Sequence, residues 1–107
     1  MQKIIMAFEE GESGVALDER VKVKIPARYV VIMHNDDYTT MEFVVNVLMA
    51  VFNKSSSQAH NIMLDVHRKG SGVCGVYPRE IAETKVNIAH EKAQKAGFPL
   101  RCSMERE

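Results

Sequence analysis

Cysteine is scarce, charge is balanced and long apolar runs are missing from this 107-residue sequence, and each absence excludes something. The two cysteines, Cys74 and Cys102, form neither a CxxC pair nor a metal-ligand rhythm. They read as buried free thiols; a disulfide would need them on adjacent strands and an oxidising compartment. Lys and Arg total 14 and Asp and Glu 14, so there is no overall field to draw in nucleic acid. No apolar run approaches the roughly 20 residues that cross a bilayer. The opening MQKIIMAFEEGESG lacks the basic start, sustained apolar stretch and small-residue cleavage site of a secretory signal. The expectation is a cytoplasmic protein with no membrane and no nucleic-acid partner. At this length it should be one domain, near the lower limit of what a single core stabilises.

Residues 1–25 set Lys3 against Glu9, Glu10, Glu12, Asp18 and Glu19, with glycines at 11 and 14 and the alternating Val21-Lys22-Val23-Lys24 before Pro26. That is too little apolar surface to offset the entropy of ordering it. A flexible N-terminal arm over 1–25 is therefore expected, followed by a folded domain over 26–107.

Tyr29-Val30-Val31-Ile32-Met33 is a β-branched apolar run suited to a covered strand, and His34-Asn35-Asp36-Asp37 breaks it. Thr39 followed by Glu42 has capping-box spacing, which predicts a helix over 40–53 that buries Phe43, Val44, Val47, Leu48 and Val51. Ser55 with Gln58 repeats the signal and opens a second helix through Ala59, Ile62, Met63, Val66 and His67, to stop at Gly70. Val73-Cys74-Gly75-Val76-Tyr77 reads as a second strand. Pro78 suits the first turn of a third helix carrying Ile81, Ala82, Val86, Ala89 and Ala93 and ending near Gly97. Leu100-Arg101-Cys102-Ser103-Met104 alternates as a third strand. The predicted fold is α+β, a three-stranded antiparallel sheet packed against three helices in the order β-α-α-β-α-β.

Chemistry concentrates in two places. The loop from His34 to Thr39 lies between a strand end and a helix start, where functional groups are commonly presented, although Asn and Asp also simply make turns. His67 shares a helical face with Met63 and lies beside Val66, at the edge of an apolar surface. Thr39, Met41, Val44, Met63, Val66 and Leu100 could line a hollow for one bulky side chain, with Asn35, Asp36 and His67 at its mouth, or could be plain core. Methionines at a rim suit ligands of varied shape. A metal site from His34, Asp36, Asp37 and His67 has loose spacing and no paired-ligand helix motif. A hydrolase built on Cys74 or Ser57 with His67 is weaker still.

The string Asn35-Asp36-Asp37-Tyr38-Thr39-Thr40-Met41-Glu42-Phe43-Val44 closely resembles the NDD(Y/F)TPMEFV signature of the ClpS family, the adaptors of the ClpAP protease. Met63-Leu64-Asp65-Val66-His67 resembles the family's M-x-x-V-H element. The segments Gly72-Val73-Cys74-Gly75-Val76-Tyr77 and Ala82-Glu83-Thr84-Lys85-Val86 match two further blocks of it. The likeness runs over residues 29–104 and departs at Thr40, where the family usually has proline. It implies a non-catalytic adaptor without cofactor or metal. Such an adaptor binds N-degrons beginning with Phe, Tyr, Trp or Leu and delivers them to the N-terminal domain of a ClpA-type AAA+ unfoldase. It further implies that Asn35, Asp36, Asp37 and His67 meet the peptide α-amino group. Thr39, Met41, Val44, Met63, Val66 and Leu100 would then surround the first side chain, with Glu80, Glu83 and Lys85 docking the unfoldase.

Overall fold

The apolar run after Arg28 forms the central strand of the sheet, because it is the segment with the most β-branched surface to cover. A computed structural model describes residues 26–107; the expected arm over 1–25 lies outside the described residues. The order is β1 (Arg28–His34), α1 (Met41–Ala50), α2 (Ser56–Lys69), β2 (Ser71–Pro78), α3 (Arg79–Ala96) and β3 (Arg101–Arg106). The three strands lie in the order β2-β1-β3, both pairings antiparallel. The sequence-derived order and the fold class are thus those observed.

Alternation on β1 decides which face is covered. Val31 and Met33 are fully buried, whereas Val30 and Ile32 are half-buried. Val47 and Leu48 from α1, Ala59, Met63 and Val66 from α2, and Ala82, Ala89 and Ala93 from α3 complete the same core. Each large aliphatic side chain so enclosed contributes about 1.5–3 kcal/mol. On α3 the buried stripe steps from Ala82 through half-buried Val86 to Ala89 and Ala93, the intervals of one helical face. Ile81, which the third helix carries as expected, falls off that face and is 47% exposed.

Local signals explain most boundaries. Ser55 and Gln58 form the reciprocal capping box, and α2 stops at Gly70, whose φ of 92° favours glycine. Helix α1 ends at Ala50, short of the expected residue 53. Asn53 takes a left-handed φ of 56°, and the Lys54 amide bonds back to the Leu48 carbonyl at 3.1 Å, which closes the end. Pro78 precedes α3 as its N-cap residue rather than sitting in its first turn. Cys74 is the extra residue of a bulge opposite Val31 and Ile32. Cys74 and Cys102 are buried free thiols on the two outer strands, with β1 between them. The hydrogen bond with the Cys102 side chain, reinforced by burial, holds the Cys74 thiol far above the ordinary thiol range. The Cys74 thiolate is thereby disfavoured.

One cation ties α3 to the end of α1. Lys85 donates from Nζ to the Val51 carbonyl oxygen at 2.7 Å and stands 5.2 Å from the centroid of the Tyr77 ring. A charged hydrogen bond and a cation–π contact at a half-buried site together outweigh the value of an exposed ion pair. Lys85→Met is therefore expected to lower unfolding free energy by about 1.5 kcal/mol or more. The check is a shifted urea midpoint with unchanged slope.

Candidate functional site

The loop between β1 and α1 is organised by one carboxylate. Asp36 Oδ1 accepts the backbone N–H groups of Tyr38 at 2.8 Å and Thr39 at 2.7 Å, and Oδ2 accepts the Thr39 hydroxyl at 2.7 Å. Partial burial works to raise the Asp36 carboxyl; the Thr39 hydroxyl and the two amides outweigh it and hold the group below the ordinary carboxylate range. An ionised carboxylate has about four acceptor sites, so three occupied sites leave room for one more donor.

Because Thr39 spends its hydroxyl on Asp36, the helix cap moves one residue on. Thr40 Oγ1, not Thr39, accepts the Phe43 N–H at 3.1 Å. The expected box of Thr39 with Glu42 is corrected accordingly. Thr40, the residue that departs from the family pattern, supplies a capping oxygen that proline lacks.

Two glycines bring α2 against this loop. The Asn35 N–H donates to the Gly70 carbonyl at 2.9 Å, and His34 pairs with Ser71 in the sheet. A Cβ on Gly72 would lie 2.9 Å from Val66 Cγ2 and 3.2 Å from the Ile62 carbonyl oxygen, so only glycine lets β2 pass this close beneath α2. The last turns of α2, which carry Met63, Val66 and His67, are thereby held beside Asn35 and Asp36.

The result is an open cavity of about 420 Å³. Its polar mouth has Asn35, Asp36, Asp37 and His67; its apolar wall has Thr39, Met41, Val44, Met63 and Val66. These are nine of the ten residues singled out from the sequence for the amine mouth and the side-chain pocket. The tenth, Leu100, does not line the cavity: it ends the turn before β3 and is buried in the core, 4% exposed. Tyr38 and Thr40 do line it and were missed. An aromatic in an otherwise polar loop was the available signal for Tyr38, which is 76% exposed.

The rival sites do not assemble. His34 turns toward β3, with Nε2 2.6 Å from Ser103 Oγ. Among the described residues no three His, Cys, Asp or Glu side chains stand close enough to hold a metal ion together. Cys74 and Ser57 are not among the residues around the cavity that His67 lines. On α3, Glu80 and Glu83 are exposed, with Glu83 3.6 Å from Arg79, while Lys85 is turned inward as described. No helix of the described residues is long and apolar enough to cross a membrane.

Comparison with known proteins assigns the family. Residues 24–103 match the family model described as the ATP-dependent Clp protease adaptor protein ClpS. A relative from Lawsonia intracellularis, an ATP-dependent Clp protease adapter protein ClpS, is 57% identical over 97 residues, covering 91% of this chain and 87% of its own length. One of the same name from Desulfatibacillum aliphaticivorans is 59% identical over 98 residues, covering 92% and 94%. The solved structure of Agrobacterium tumefaciens ClpS2 bound to L-phenylalaninamide superposes with a TM-score of 0.75 at 46% identity, over 78% of this chain and all (100%) of that one. The chain belongs to the ClpS family of ATP-dependent Clp protease adaptors.

Proposed function

We propose that the protein is a non-catalytic, cytoplasmic adaptor that binds the free α-amino group and bulky first side chain of N-degron substrates and delivers them to a ClpA-type AAA+ unfoldase. The observation that carries this reading is the cavity's two-part chemistry. An apolar wall of Val44, Met63 and Val66 adjoins a mouth with two carboxylates, an amide and an imidazole. L-phenylalaninamide, the ligand of the Agrobacterium relative, has the two matching parts, an amino group and a benzyl side chain.

Each part supplies a share of the affinity. Enclosing a Leu or Phe side chain is worth roughly 1.5–3 kcal/mol. Each hydrogen bond from the ammonium to Asn35, the remaining site on Asp36 or a ring nitrogen of His67 adds on the order of 1.5–3 kcal/mol. Asp37, exposed at the rim, adds negative potential, and Met41 narrows the mouth against β-branched first residues. Delivery uses other surfaces: the arm over 1–25 and the exposed carboxylates Glu80 and Glu83 on α3. Lys85 contributes there chiefly by fixing α3.

The test is a titration of a Leu-initiated peptide against its N-acetylated twin. Acetylation removes the charge and two of the donors while leaving the acceptors of the mouth desolvated. Affinity is expected to fall at least about tenfold, equivalent to ~1.4 kcal/mol. Equal binding of the two peptides would sink the reading.

A further inference from the structure

Two methionines make the partition on one side of the cavity. Met41 and Met63 also line a second, smaller hollow of about 230 Å³, whose other sides are Glu42, Val45 and His60. Helix geometry produces this arrangement. Val45 lies one turn after Met41 on α1, and His60 lies one turn before Met63 on α2, so each methionine has a neighbour behind it.

The two methionines are held differently. Met63 belongs to the core and is 8% exposed; Met41 opens the first turn of α1 and is 46% exposed. An unbranched side chain with three rotatable bonds exchanges rotamers at little cost when few atoms enclose it. The rear wall is firmer. His60 Nδ1 lies 2.9 Å from the Ser56 carbonyl oxygen, which only accepts, so the ring donates there and is fixed. Val45 packs against the core.

We propose that the second hollow receives the Met41 side chain when a first residue larger than Leu fills the main cavity, and that Val45 and His60 thereby set the upper size limit of the site. Met41 would leave one apolar contact for another, against Val45, so the exchange forfeits little buried surface. Val45 and His60 act as positioning residues, through Met41 and without touching the peptide. The inference rests on the peptide-binding reading above.

The experiment titrates the full chain with peptides that differ only in a Leu or Trp first residue. His60→Trp, on an exposed position, and Val45→Phe each fill the hollow from one helix. Both are expected to weaken Trp-initiated peptide at least about fivefold and to leave Leu-initiated peptide within about twofold. In a Met41→Ala background the effect of His60→Trp should vanish, since no side chain remains to be displaced. An unchanged Trp-to-Leu ratio in folded His60→Trp, or a parent protein that binds Leu and refuses Trp, overturns the inference alone. A parent that binds neither peptide defeats the peptide-binding reading and this one with it.

Discussion

Asp36→Ala is expected to weaken binding of a Leu-initiated peptide by about two orders of magnitude, roughly 2.7 kcal/mol. The substitution removes three things at once. It deletes the acceptor that fixes the Tyr38 and Thr39 amides, it frees the Thr39 hydroxyl on the cavity wall, and it takes away a negative charge at the cavity mouth. Asp36→Asn separates these effects. Its amide oxygen can still hold the two backbone donors, but its NH2 can accept neither the Thr39 hydroxyl nor a peptide ammonium. Asn should therefore restore much of the loop's stability and little of the affinity. Isothermal titration against both variants, with urea midpoints alongside, checks this; affinity within about twofold of the parent in Asp36→Ala would remove Asp36 from the site.

The same carboxylate makes a prediction about acid. Its folded pKa lies below the unfolded value, so the stability it contributes is complete above the unfolded pKa and is lost as pH falls through the folded one. The parent should lose part of its stability in that acid window, and Asp36→Asn should lose less.

Much of this was legible in the residues because local rules and tertiary demands agree there. Ser55 with Gln58 and Gly70 delimit α2 by capping chemistry alone. The apolar alternation of β1 names the residues that meet the helices. The candidate cavity is legible in part as well, since the polar loop and the second helix both stand out in the sequence and both line it. What escaped depended on competition between neighbours. Thr39 and Thr40 are equally good caps by type, and only the prior engagement of Thr39 by Asp36 decides between them. Ile81 and Ala82 differ by one step around α3, and apolar character alone does not say that the smaller of the two is the buried one. Lys85 looks like any solvated helix cation until the end of α1 arrives beside it. Leu100 suits a pocket wall by type, but it stands just before β3 and is not among the residues around the cavity.

His67→Ala is expected to lower peptide affinity about thirtyfold, ~2 kcal/mol, with the fold intact. The ring is exposed on the last turn of α2 and lies at the mouth of the cavity, so its removal leaves no core void. On the proposed reading a ring nitrogen accepts a hydrogen bond from the peptide ammonium, and the variant loses that acceptor. The peptide's own α-amino group loses its proton above roughly pH 8, so affinity should decline on the alkaline side. His67→Ala should leave that decline in place, because it belongs to the peptide. Titrations of parent and variant at neutral and alkaline pH check both statements. A folded variant that binds as tightly as the parent would leave Asn35 and Asp36 to hold the ammonium without the ring.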